Sequence, residues 1–382
     1  MDDRPLRDGR LARLQRAMAE RDVACLLLFN EPNIRYATGT SVMPIWSNTT
    51  FVRCALVPQD GAPILFEHPN SVHRSRRAVE DVRPMRMWEF IDASEDEARL
   101  WADETVAAMR ELGMEGNVLA VDRLGTPGFL ALQRLGLELS DAMPVTRAAR
   151  EVKTPEEVAA FDASGEVVME MLGAFETLLA PGVTERELLA ATSEVLIRRG
   201  GDVQATSTVC SGPNTNPWRS EATDRAFAVG DLVWTDTDAV VFGGSFLCVS
   251  RTFVVGVASE EQRRLHRDAL EWLTAMEAFV EPGMTCAEIA ERGPRVPERF
   301  LAQRYEVMIH GLGLEEEGPS VAYPGDQQPN PDRVIEPNMV LAIELYAGEP
   351  GGRDGAKLGD VVVVTDAGVR VVSPYPFSEA LV

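Results

Sequence analysis

No apolar run in this chain approaches the roughly 20 residues that span a bilayer. The opening segment MDDRPLRDGR carries no apolar core of a signal peptide. Paired cysteines are missing too. Cys25, Cys54, Cys210, Cys248 and Cys286 are widely scattered, without a CxxC pair, and five is an odd number. That usage fits free thiols in a reducing cytoplasm, so a cytoplasmic protein without membrane partners is expected. Basic charge is scarce: 37 Lys and Arg against 60 Asp and Glu leave a net charge of −23. Neutralising a phosphate backbone needs clustered Lys and Arg, which argues against a nucleic-acid partner. Acidity of this kind mostly serves solubility and names no partner. Histidine is rare, at four residues, so each one in an unusual setting carries weight.

What is present suits an ordinary globular protein of two domains: 382 residues, 45% hydrophobic and 25% charged. Over the first ~145 residues helices and strands alternate. Arg10 to Arg21 has apolar residues near helical spacing, and Ala24 to Phe29 is a short apolar run that predicts a buried strand. Phe51 to Val57 and Ala62 to Phe66 flank Pro58-Gln59-Asp60-Gly61, a hairpin signal. A helix over Glu95 to Leu112 and a strand over Asn117 to Asp122 complete an α/β pattern, expected as a mixed sheet with helices on its faces. We place this domain at 1–147 and a second at 148–382.

The second domain opens on a capping box, Thr154-Pro155-Glu156-Glu157, with proline at the first helical position. Its helix runs towards Leu179 and leads to Ala180-Pro-Gly-Val-Thr184-Glu-Arg-Glu187, whose box opens another helix. The same phrase returns 101 residues later as Glu281-Pro-Gly-Met-Thr285-Cys-Ala-Glu288, again after a long predicted helix, Ser259 to Val280. Chance reuse of a common turn-and-cap signal is one account. The other is two related α+β halves about a pseudo-two-fold axis, with a site built between them from strands of both.

Three separated segments carry the candidate chemistry. Asp236-Thr237-Asp238 ends an apolar strand, where two acids are either a solvated strand end or ligands. His310 follows Met308-Ile309 and precedes Gly311-Leu312-Gly313, glycines that let a backbone approach closely. Glu344 lies inside Met339-Val-Leu-Ala-Ile-Glu-Leu-Tyr-Ala, and a carboxylate in such a run needs a partner, because burying an unpaired charge is costly.

The order and spacing of these segments resemble the creatinase/methionine-aminopeptidase (M24, pita-bread) superfamily. The resemblance extends through Asn33-Ile-Arg-Tyr36-Ala-Thr-Gly-Thr near the N-terminus. It implies an α+β fold: a C-terminal pita-bread domain behind an N-terminal α/β creatinase-like domain. In that family two aspartates, a histidine and two glutamates hold a metal pair. Here the phrase after the first aspartate reads Cys248-Val-Ser-Arg-Thr252, so a cysteine stands at the second aspartate's place. The last phrase reads Gly359-Asp360-Val-Val362, so the second glutamate is a glycine, and Asn338 replaces the glycine of the family's Pro-Gly-Met phrase.

Two stretches are most similar to the dimethylsulfoniopropionate lyase branch: Asn33 through Trp46, and Arg199 through Trp218 leading to Asp236. That branch binds a small sulfonium zwitterion in an aromatic-lined pocket, which makes Trp46, Trp218, Tyr323 and Tyr346 candidate substrate-binding residues. For each aromatic taken singly, core packing is the competing role. A hard metal pair is not expected on the reduced ligand set. A single Zn²⁺ on Asp236, Cys248, His310 and Glu344, or no metal at all, is. In the metal-free case Asp238 and Glu344 are the candidate acid/base groups and His310 a proton carrier. The expected activity is hydrolysis or elimination at a C–N or C–S bond of a small zwitterionic, amino-acid-like or sulfonium compound. An Xaa-Pro-type metallopeptidase and a non-catalytic binding homologue are the alternatives. The resemblance further implies a homodimer, with the loop from Met43 to Arg53 reaching the other subunit's site.

Overall fold

Short apolar runs, too brief for helices, make the strands of the N-terminal unit. The computed structural model describes residues 3–41, 43, 46, 50–92, 94–114, 116, 118–218 and 220–382, in two units, Met1–Arg150 and Glu151–Val382. The boundary expected after residue 147 falls inside the helix Met143–Glu151, whose buried Val145, Thr146, Ala149 and Arg150 tie it to the first unit. Most of the Met43 to Arg53 loop's tip lies outside the described residues.

The first unit holds β1 (Cys25–Leu28), β2 (Cys54–Pro58), β3 (Ile64–Glu67), β4 (Asp81–Pro84), β5 (Leu119–Val121) and β6 (Leu139–Asp141) in the order β4-β3-β2-β1-β5-β6. β2 pairs antiparallel with β1 and β3, whereas β3–β4, β1–β5 and β5–β6 are parallel, so the sheet is mixed. Trp88 and Trp101, both fully buried, pack against its central strands with Phe29.

The second unit is built around one large sheet. Its strands are β7 (Val203–Gln204), β8 (Val209–Ser211), β9 (Leu232–Asp236), β10 (Ala239–Val240), β11 (Phe246–Leu247), β12 (Ser250–Val254), β13 (Ile309–Leu312), β14 (Glu316–Val321), β15 (Val340–Gly348), β16 (Gly355–Thr365) and β17 (Gly368–Val371). The main sheet runs β14-β13-β15-β16-β12-β9-β8, with β17 on β16, and β7, β10 and β11 form a small sheet. Alternation along β15 separates two cores. Leu341, Ile343, Leu345 and Ala347 join the cluster containing Trp272 and Met276 of the helix Glu260–Phe279. Val340 and Ala342 face the cluster of the helix Pro155–Thr177. Glu344 and Tyr346 continue that second face by the two-residue period.

The repeated phrase folds the same way twice. Each copy closes a capping box, on Thr184 and on Thr285, and each has a glycine at φ +92°, Gly182 and Gly283. Gly182 N–H donates to the Phe227 carbonyl and Gly283 N–H to that of Ile335. Glu185 and Cys286 donate likewise to Arg225 and Arg333, and lone bridges join Thr184 to Ala226 and Thr285 to Val334. A common cap signal used by chance would not reproduce these partners. Asn338 sits at φ +68°, a left-handed position that glycine fills freely and asparagine tolerates.

At the His310/Gly311 register shift, β13 and β14 approach so closely that a Cβ on Gly311 would stand 2.0 Å from the Gly318 carbonyl oxygen. Replacing Gly311 with alanine is therefore expected to cost more than about 2 kcal/mol, since backbone must move rather than a side chain. Chemical denaturation of the purified variant reads that loss directly.

Candidate active site

Register brings the polar residues into one row. Ser250 of β12 lies opposite Asp236 of β9 and opposite Gly359 of β16, and Gly359 lies opposite Glu344 of β15. Directly paired residues share a face, so Asp236, Ser250, Gly359 and Glu344 form a line across four strands. His310 of β13 pairs with Ala342, and Lys357 with Tyr346, each two residues from Glu344 and hence on its face. Ser250 and Gly359 in the middle of the row contribute little bulk. The Lys357 ammonium reaches into that trough. It ion-pairs with Asp236 Oδ2 and lies 2.8 Å from Glu344 Oε2, with all three side chains buried.

The neighbours complete a dense electrostatic cluster. Cys248 Sγ donates to Asp236 Oδ1 at 3.1 Å. His310 Nε2 stands 3.3 Å from Glu344 Oε1, an ion-pair distance whose angles do not make a hydrogen bond, while Nδ1 lies 3.2 Å from the Gly311 carbonyl. A proton on each nitrogen suits both neighbours, which is the imidazolium form. Burial works against that charge, but Glu344 outweighs it and raises the His310 pKa. Burial likewise opposes the Lys357 charge, and Asp236 followed by Glu344 carries it well above the usual lysine value. For Glu344, burial would favour the neutral acid, yet Lys357 and then His310 pull its pKa down to about 2. Asp238 differs: burial, then repulsion from Asp236, lifts it to about 7. Its backbone is held at φ +38°, and its Oδ2 accepts from Thr206 Oγ1 at 2.5 Å.

A cavity of about 600 Å³ opens on this cluster, lined among others by Asp238, Cys248, Lys357, Trp218, Tyr305 and Glu316. Trp218 and Tyr305 stack with ring centroids 5.2 Å apart. Both rings also face the Lys357 ammonium, at 4.9 and 5.1 Å. Glu221, Thr206, Ser207, Thr208 and Ser220 line the same space.

The sequence-predicted residues divide accordingly. Asp236, Asp238, Cys248, His310 and Glu344 converge, and Trp218 lines the cavity. Tyr346 is buried elsewhere, its hydroxyl donating to the Thr215 carbonyl at 2.7 Å, so it braces the turn before Trp218 instead of meeting a ligand. Tyr323 is buried in the core with its ring under Arg304 at 4.7 Å. Trp46 belongs to the first unit and stacks on His68 at 4.1 Å. Sequence reasoning missed Lys357 and Tyr305. The signal for Lys357 was available: a lone lysine between Ala356 and Leu358, two residues before Gly359, in a run otherwise fit only for burial.

Two groups have ligand atoms within 4.8 Å of one another, Cys248-His310-Glu344 and Asp236-Asp238-Cys248, so groups able to hold a metal ion exist here. Burial, then Asp236 and Glu344, pushes the Cys248 thiol well above its usual range, and burial pushes Cys25, Cys54 and Cys210 up to about 12 and Cys286 to about 11. Because the thiolate is the reactive form, the folded protein is expected to leave all five cysteines unlabelled by a disulfide reagent at pH 8. Unfolding in guanidinium should release all five, and the difference is counted by absorbance.

Residues 159–366 match the family described as Metallopeptidase family M24, and residues 10–152 match the Creatinase/Prolidase N-terminal domain. The chain is 31% identical to dimethylsulfoniopropionate lyase DddP of Roseovarius nubinhibens, over 98% of this chain and 87% of that protein. The DddP of Roseobacter denitrificans is 30% identical with the same coverage. Among solved structures, dipeptidase PepE of Mycobacterium ulcerans superposes with TM-score 0.75 at 25% identity, over 99% of this chain and 98% of that one. An Xaa-Pro dipeptidase of Bacillus anthracis does so at TM-score 0.77 and 20% identity, over 96% and 98%. Among the described residues no helix is long and apolar enough to cross a membrane.

Proposed function

Since the chain belongs to metallopeptidase family M24, with a creatinase/prolidase N-terminal domain, we propose that it is a lyase acting on a small sulfonium zwitterion by acid/base chemistry. The observation that carries this reading is the placement of Asp238. Its carboxyl group faces a cavity walled by the Trp218–Tyr305 stack and the acids Glu221 and Glu316. Aromatic faces and carboxylates suit a positively charged sulfonium headgroup, and Ser207 and Ser220, which also line the cavity, offer hydroxyl donors suited to the zwitterion's carboxylate.

In the proposed reaction Asp238 takes the proton from the carbon beside the substrate carboxylate. The electrons left behind form a C=C bond, and the C–S bond breaks with its pair leaving on sulfur. The products are an unsaturated carboxylate and a neutral sulfide. A base whose pKa lies near 7 is matched to this task at neutral pH.

Our reading of the donor set speaks against the metal pair that the family framework implies. Two of its five ligand positions are Cys248 and Gly359. A Cβ placed on Gly359 would stand 2.9 Å from the Glu344 Cβ, so the strands have closed over the missing side chain. The carboxylates that remain, Asp236 and Glu344, already share the Lys357 ammonium. No step of the proposed elimination runs through a metal.

Incubation with dimethylsulfoniopropionate, with headspace detection of dimethyl sulfide, tests the reading. Release is expected, and Asp238→Asn should lower kcat by about 10²-fold or more. Release of proline from Xaa-Pro dipeptides without any sulfide would instead make the protein a peptidase. With Asp238 as base, kcat/KM should climb as pH rises through about 7 and level off above it, because only the carboxylate accepts a proton. Trp218→Ala should raise KM by about tenfold while changing kcat less, as expected for loss of a cation–π contact.

A further inference from the structure

The trough between Asp236 and Glu344 is filled by a side chain of this protein. We infer that Lys357 is the resident cation of the site: its ammonium occupies the charge-balancing place between the two carboxylates and so keeps divalent metal out. The inference rests on the geometry of the cluster and not on the substrate proposed above.

Four observations converge. The ammonium contacts one carboxylate on β9 and one on β15, spanning the row that the register creates. Lys357 is 2% exposed, so water does not supply this balance. Between Asp236 and Glu344 the row holds only Ser250 and Gly359, which carry no charge to balance the two carboxylates. Finally, two aromatic rings lie against the ammonium at 4.9 and 5.1 Å, which holds the charge in the cluster by cation–π attraction.

A divalent ion on Cys248, His310 and Glu344 would sit beside this ammonium in a buried, poorly screened space, where like charges repel strongly. It would also have to draw Glu344 away from Lys357 and leave a buried ammonium with half its partners. Without the ammonium, the same residues become an acidic pocket with a thiol and an imidazole, a donor set that zinc accepts. One side chain thus decides between a metal site and a metal-free one.

The test is metal binding by the full chain, with no substrate present. Zn²⁺ and Mn²⁺ are titrated calorimetrically into chelator-treated wild type and Lys357→Met, and the melting temperature is followed with and without each ion. Wild type is expected to take up neither ion at sub-millimolar concentration and to melt at the same temperature in EDTA. Lys357→Met is expected to bind about one Zn²⁺ per chain and to melt several degrees higher with it. If the variant folds only when Zn²⁺ is present during refolding, the exchange of ammonium for metal is seen directly and the inference stands. Stoichiometric Zn²⁺ or Mn²⁺ on wild type overturns it. So does a variant that binds no zinc and whose folded yield zinc does not change. Sulfide release by wild type alongside either of those results would retain the proposed lyase while removing this inference.

Discussion

The shared ammonium of Lys357 is the interaction around which the second unit's site is arranged. Asp236 and Glu344 lie on strands separated by two others, buried, and bearing the same charge. Without a cation between them Asp236 would keep only the Cys248 thiol and Glu344 only His310, and a buried carboxylate so poorly compensated is costly. Lys357 removes the conflict, and its consequences reach the neighbours. Glu344 stays ionised and can hold His310 as an imidazolium, while burial and the carboxylates, against the pull of Lys357, keep Cys248 a neutral thiol donating to Asp236. Asp238, which also lines the cavity, is lifted to a pKa of about 7 by burial and then by repulsion from Asp236, with Lys357 offsetting only part of the rise.

This arrangement depends on the internal repeat. Two copies of a helix, a Pro-Gly turn and a capped second helix set strands from both halves side by side in one sheet. β9 and β12 come from the first copy's half, β13, β15 and β16 from the second, and the polar row crosses the seam. On the same face Val340, Ala342, Val361 and Val363 pack in the cluster of the helix Pro155–Thr177. That packing and the burial of Asp236, Glu344 and Lys357 strengthen the charge interactions among them, while the cavity leaves the cluster open on another side.

Much of this was legible in advance. The period-two and helical patterns, the Pro-Gly turns and the capping boxes are local signals, and both box helices begin where Thr154 and Thr184 place them. The repeat was visible because the same local chemistry was written twice. Asp236, His310 and Glu344 stood out because polar residues inside apolar strands cost free energy unless partnered. The aromatics were a different matter. Trp218, Tyr323 and Tyr346 have the same composition signal, yet Trp218 alone of the three lines the cavity, because a tyrosine suits a core or a pocket wall equally well.

The sequence by itself determined the two-unit α and β architecture, the repeat, and the identity of the residues that would need partners. Local propensity and the cost of burying charge act on neighbours in the chain, and those are written in order. Which partners they found was decided only in three dimensions. Lys357 is 121 residues from Asp236 and 13 from Glu344, and no spacing rule links the three. Strand register does, by stacking β9, β12, β16 and β15 so that alternate residues share a face. The cation of the site is therefore a property of the sheet, set by pairings between segments that the chain's order keeps far apart.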